Sequence, residues 1–210
     1  MPTLYHFTLL RHGESVGNSE GRVQGQSEYP LTETGRKQSQ ALAQRWVTEG
    51  QSFDRIISSP QSRSRETAEI IAGCLDLTVE YDPLWMERDY GKVSGMPGEE
   101  AVKTEQRPLY SFPYQPVGED GESMWELYLR AGRAVLSMVR REPGCYLIVS
   151  HGGTLNMGLY NILGITPQAY FRGARFLFKN TAFASLTYNP NEHIWRVLAM
   201  NDRSHWPGED

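Results

Sequence analysis

The sequence predicts an α/β fold: a three-layer α/β/α sandwich on a mostly parallel sheet of about six strands, with a small helical or loop cap. Three observations carry this reading. Apolar runs of strand length, such as Leu147-Ile148-Val149, alternate along the chain with stretches of helical periodicity. Such alternation implies parallel strands covered on both faces. Near the end, two strand-like runs flank the turn signal Asn189-Pro190-Asn191-Glu192, which adds an antiparallel piece.

The elements follow in order. A first strand at about residues 4–11 runs into a polar stretch containing Gly13, Gly17, Gly21 and Gly25, expected to be loop and short helix over the strand end. Thr32 N-caps a helix to about Glu49, with Leu42, Trp46 and Val47 on one face. A short strand at 53–58 is followed by a helix opened by Pro60, whose Ala68, Ile70, Ile71 and Leu75 point to the core. Residues 78–81 read as a strand. From Pro83 to Gly121 the periodicity is lost and prolines and aromatics accumulate, as in Leu109-Tyr110-Ser111-Phe112-Pro113-Tyr114-Gln115-Pro116. This segment is expected to be a cap or lid on a single domain spanning 1–210. Ser123 and Glu126 form a capping box for a long amphipathic helix to about Arg141. A strand at 146–150, a helix from Gly152 and a hairpin of 184–188 with 195–200 complete the chain.

Composition limits the function. A chain of 210 residues, 39% hydrophobic and 22% charged, fits one globular domain with a substantial core. Its net charge of −4 argues against general affinity for nucleic acid or anionic membrane, so small-molecule partners are expected. Cys74 and Cys145 lie far apart, inside a predicted helix and strand, and are expected to be buried free thiols of a reducing cytoplasm. The N-terminus lacks a basic segment followed by an apolar one, and no run approaches about 18 apolar residues; the chain reads as soluble and unexported.

The chemistry concentrates at two His-Gly pairs that close apolar runs, Leu10-Arg11-His12-Gly13 and Val149-Ser150-His151-Gly152. Ligands of open α/β sheets bind outside the carboxyl ends of the strands, so the two imidazoles can face one another across one site. Arginine is almost never buried without a partner, and an anion beside His12 would supply one for Arg11. Phosphate suits its planar fork of donors, and Gly13 lets the backbone approach closely. A second arginine is expected from another strand end, and Arg63 stands in the first turn of the helix after Ser58-Ser59-Pro60, where the helix N-terminus also favours an anion. Two histidines and a carboxylate could hold zinc, but the spacing offers neither an i, i+4 pair nor a third well-placed ligand, and Arg11 would repel a cation. No metal and no cofactor are expected.

Leu10-Arg11-His12-Gly13-Glu14-Ser15 with Asn18, Ser58-Ser59-Pro60 with Arg63 and Thr67-Ala68, Glu87 ahead of Gly91 and Gly95, and Ser150-His151-Gly152-Gly153 together resemble the histidine phosphatase superfamily. The resemblance spans residues 4–206. It implies that His12 attacks phosphorus in line as a neutral imidazole and becomes a phosphohistidine. It implies further that Arg11, Arg63 and a cationic His151 clamp the phosphoryl oxygens. By the same resemblance Glu87 is the proton donor to the leaving oxygen, with Leu84, Trp85 and Met86 expected to desolvate it. Asp89 is the competing donor and is expected to pair with Arg88 or solvent. Asn18, Gln24, Gly25 and Gly152 match positions that bind substrate, a role favoured for Asn18 over simply capping a turn. Arg65, Arg88, Lys92, Arg172, Arg175 and Lys179 read as solvated surface.

Within the family, the choice lies between phosphatase and mutase. Glu87-Arg88-Asp89-Tyr90-Gly91 keeps part of the mutase pattern, with Asp89 where a histidine is usual. The Trp-Arg-Arg segment of the mutase insertion is absent, and 92–120 hold only Lys92, Lys103 and Arg107 as basic groups. Gln61 and Ser64 replace the usual leucine and alanine around Arg63. The expectation is metal-independent hydrolysis of a small phosphorylated metabolite, with mutase-type transfer or a turnover-deficient phospho-ligand binder as alternatives. A homodimer is compatible with the sequence.

Overall fold

The structure, a computed structural model, describes residues 4–109 and 111–206. Tyr110, within the aromatic run of the predicted cap, lies outside the described residues. Strand β1 is Tyr5–Arg11, followed by a one-turn helix α1 at Val16–Ser19 and by helix α2 at Glu33–Glu49. Then come β2 (Arg55–Ser58), α3 (Ser62–Leu75), β3 (Val79–Tyr81), α4 (Gly98–Glu105), α5 (Met124–Val139), β4 (Cys145–Ser150), α6 (Gly152–Leu163), β5 (Phe183–Asn189) and β6 (Ile194–Asp202). The six strands form one sheet in the order β3-β2-β4-β1-β5-β6. Pairing is parallel from β3 through β1 and antiparallel for β1 with β5 and β5 with β6.

Side-chain alternation sends strand residues into two cores. On one face Phe7, Leu9, Ile148 and Leu186 pack with Ala134 and Met138 of α5 and with Leu155 and Leu159 of α6. On the other, Leu10, Ile56, Leu147 and Val149 pack with Leu42 and Trp46 of α2 and with Ala68 and Ile71 of α3. This is the three-layer sandwich expected from the sequence. Local signals act as read: the Thr32 side chain accepts from Gly35 N at 3.0 Å, and Ser123 and Glu126 form a reciprocal capping box.

Some expectations are corrected. Val47 is exposed, because one residue past Trp46 the helix has turned its side chain away from the α2 stripe. Pro60 precedes α3, whose first residue is Ser62 after Gln61 as N-cap. Ile70 and Leu75 are only half-buried. Cys74 is exposed and Cys145 half-buried, both free thiols, so neither packs as a core residue. The 83–121 segment contains α4, whose Ala101 packs in a small core with Tyr90, Val93 and Val117. Among the described residues no helix is long and apolar enough to cross a membrane.

Candidate active site

The sheet order brings three loop starts together. β4 lies between β1 and β2, with Arg11 opposite Ser150 and Ser58 opposite Val149, so His12, His151 and Ser59 leave neighbouring strand ends. The His12 and His151 rings are 5.1 Å apart between centroids.

His12 is buried at 3% exposure, and its Nδ1 lies 2.7 Å from the carbonyl of Gly13. A carbonyl only accepts, so Nδ1 carries the proton and Nε2 keeps its lone pair. Burial, then the nearby Arg63 and Arg11 charges, push the pKa well below the ordinary histidine value, so the ring is neutral at pH 7. The backbone is fixed by His12 N to Ser150 O at 3.0 Å and by Asn180 Nδ2 to His12 O at 3.1 Å. Gly13 is required for packing: a Cβ there would stand 2.6 Å from the carbonyl oxygen of Gly35.

Arg63 enters the site from the first turn of α3, as predicted. It is buried, and it donates to the carbonyls of Ser27 at 3.0 Å and Gly25 at 2.8 Å. Burial pulls its pKa to about 10, which leaves it cationic at neutral pH. Arg11 reaches it from β1, anchored on Phe178 O at 2.8 Å.

His151 is fully buried. Its Nε2 lies 2.9 Å from Ser59 Oγ and 3.2 Å from Ser64 Oγ, while Nδ1 has no hydrogen-bond partner among the described residues. Burial first, then Arg63, His12 and Arg11, hold its pKa well below the ordinary value. Burial among these cations therefore opposes the cationic state expected for His151.

Glu87 also differs from its expected setting. Trp85 is buried, but the Glu87 carboxylate sits against the start of α6, accepting from Gly153 N at 3.1 Å, Thr154 N at 3.2 Å and Arg88 N at 2.9 Å. Its surroundings are polar and not the apolar pocket that its sequence neighbours suggested. Asp89, half-buried, accepts from Gly91 N at 2.8 Å. Arg88 is buried rather than solvated, donating to Glu122 O at 2.8 Å with its guanidinium 5.2 Å from the Tyr90 ring centroid.

A cavity of about 230 Å³ brings Arg11, His12, Arg63 and Glu87 together, with Gln24 and Gly25 in its wall. Arg22, Tyr90 and Leu109 also line it and were not singled out from the sequence. Tyr90 could have been found from its place three residues after Glu87; Arg22 and Leu109 carry no local signal. Gly152 lines an adjoining bay of about 270 Å³ with Arg11, Glu87, Asn156 and Arg175. Asn18 lies apart from the His12 cavity. Its Oδ1 accepts from Ser15 Oγ at 2.9 Å and Asn180 Nδ2 at 3.2 Å, and it lines a third bay with Arg11 and Glu14. Chemically, the arrangement offers an unprotonated imidazole nitrogen, fixed cations and a carboxyl group around one anion-sized space.

Residues 7–203 match the model of the histidine phosphatase superfamily, branch 1. The chain is 32% identical over 204 residues to "Probable phosphoglycerate mutase GpmB" of Yersinia enterocolitica, covering 94% of this chain and 93% of that protein. Bacillus stearothermophilus YhfR superposes with a TM-score of 0.83 at 26% identity, over 96% of this chain and 98% of the other. Phosphoserine phosphatase from Entamoeba histolytica, solved in complex with 3-phosphoglyceric acid, gives 0.79 at 25% identity, over 96% and 98%. With its fold, its motif order and these relatives in agreement, the chain belongs to the histidine phosphatase superfamily, branch 1, a group of phosphoryl-handling enzymes.

Proposed function

We propose that the protein hydrolyses a small phosphomonoester through a phosphohistidine on His12, without a metal ion. The observation that carries this reading is the tautomer of His12: the Gly13 carbonyl holds the proton on Nδ1 and leaves Nε2 as nucleophile, in a cavity shared with Arg11, Arg63 and Glu87. Nε2 attacks phosphorus as the bond to the leaving oxygen breaks, and the Glu87 carboxyl group delivers the proton that this oxygen takes up. Water then attacks the phosphohistidine, returns a proton to Glu87 and releases phosphate and free His12. Arg11 and Arg63 stabilise the equatorial oxygens in both steps, and His151 supports them from behind His12, its ring 5.1 Å away between centroids.

Hydrolysis is preferred to mutase transfer because none of Lys92, Lys103 or Arg107 lines the His12 cavity. Lys92 is paired with Glu119, and Arg107 is held by Glu105 and Gln115. A bisphosphorylated intermediate therefore lacks cationic cover from the cap. The name of the Yersinia relative favours the second reading, phosphoglycerate mutase activity. Turnover of an aryl phosphate with and without EDTA, together with a mutase assay primed with 2,3-bisphosphoglycerate, separates them. Activity that survives chelation and is lost in His12→Ala is expected; activity abolished by EDTA, or retained in His12→Ala, overturns the reading.

A further inference from the structure

Glu87 lies in an irregular segment, and its main chain is held almost entirely by side chains from elsewhere. Gln61, 1% exposed, accepts from Glu87 N at 2.7 Å through Oε1 and donates through Nε2 to Gly25 O at 3.0 Å. On the opposite side, Arg130 of α5 donates to the carbonyls of Leu84 at 3.0 Å, Met86 at 2.6 Å and Glu87 at 3.0 Å. The Arg130 guanidinium is itself locked by both carboxylate oxygens of Glu122, each at 2.7 Å, and the pair is largely buried. Glu122 in turn accepts from Asp89 N at 3.0 Å. Donors and acceptors that converge on one short stretch of backbone fix its position more firmly than packing alone.

From this geometry we infer that Gln61 and Arg130 form a two-sided clamp that positions Glu87 for proton transfer; they are positioning residues that act on the reaction only through it. Gln61 stands two residues before Arg63, and both donate to the Gly25 carbonyl. The clamp therefore fixes the Glu87 backbone relative to the arginine that faces the phosphoryl group. Leucine, usual at position 61 in the motif this chain resembles, can make neither bond. The inference rests on Glu87 being the proton donor, and the experiment keeps the two apart.

The measurement is kcat/KM for two substrates in wild type, Glu87→Gln, Gln61→Leu and Arg130→Lys. One is a primary alkyl phosphate, whose leaving oxygen needs a proton; the other is 2,4-dinitrophenyl phosphate, whose leaving group does not. Because kcat/KM covers steps only through phosphoryl transfer, later hydrolysis of the phosphohistidine does not mask the effect. A misplaced proton donor should lower the alkyl value by about 10-fold or more in each clamp variant, with less than about a 3-fold change on the aryl substrate. Circular dichroism identifies the folded variants, and two substitutions on separate elements keep the test open if one fails to fold. Equal losses on both substrates, or none, in the folded clamp variants while Glu87→Gln discriminates, overturn the positioning role alone. If Glu87→Gln treats both substrates alike, the proton-donor reading falls and the clamp's role with it.

Discussion

Gly153 offers a narrow test of the site, because its missing side chain is the space that Glu87 occupies. A Cβ added there would stand 2.5 Å from Glu87 Oε1 and 3.2 Å from Cδ, where ordinary contact begins near 3.4 Å. In Gly153→Ala the carboxylate must therefore withdraw by about 0.9 Å. The yielding atom is the far end of a flexible side chain, so the backbone of α6 need not move. The stability terms partly cancel. Withdrawing Oε1 weakens its bonds from Thr154 N and Arg88 N and that of Gly153 N to Oε2, together about 2 kcal/mol, and alanine in place of helical glycine returns up to about 1 kcal/mol. The melting temperature should fall by no more than about 4 °C. Activity should not follow: a displacement near 1 Å at the proton donor is worth on the order of 100-fold in kcat/KM for an alkyl phosphate. Thermal melts and steady-state kinetics on the same preparation decide it. Wild-type turnover of the alkyl phosphate by the folded variant would refute the placement of Glu87 at the leaving oxygen.

Further predictions concern stability. Ser123→Ala removes the acceptor for Glu126 N, 3.1 Å away, and should cost about 1 kcal/mol in urea denaturation, with the m-value unchanged. His205 lies 3.0 Å from Thr181 Oγ1, and burial, then Arg45, lowers its pKa to about 4. Its folded form stays neutral where the unfolded chain protonates, so the stability this group contributes falls as pH drops from 6.5 towards about 4. His205→Gln should flatten that part of the pH–stability profile, and a profile as steep as wild type would contradict the assignment.

The sheet and the loop starts of the candidate site were legible because their signals are local. Thr32 and Ser123 announce their helices within four residues, and Leu147–Val149 reads as a covered strand without knowledge of its neighbours. Arg11, His12, Arg63 and Glu87 converge because each sits at or near an element's end, which the motif spacing marks. What escaped depends on tertiary demand. Helix α4 follows Pro97 in a short polar stretch and is held by Ala101 against Tyr90 and Val117, contacts made across the cap. Arg88 read as a surface cation, yet it is buried on the Glu122 carbonyl, while Arg130, which carried no signal, is drawn inward by carbonyls that the irregular 84–90 segment does not pair within itself. No periodicity encodes such debts of unpaired backbone. His151 was assigned a charge from its phosphate-facing role, whereas its state in the free protein follows from burial among Arg63, His12 and Arg11.

The position of β4 between β1 and β2 has a consequence for how the protein comes into being. The residues meeting at the strand ends are separated by up to 139 positions, from His12 to His151, and parallel pairing can join them only after that whole stretch has been closed. Contacts so distant in sequence are slow to form. Until β4 enters, β1 and β2 have no common neighbour, and His151 is not beside His12. Recovery of enzymatic turnover during refolding thus reports on the insertion of β4, the strand that makes the two histidines neighbours.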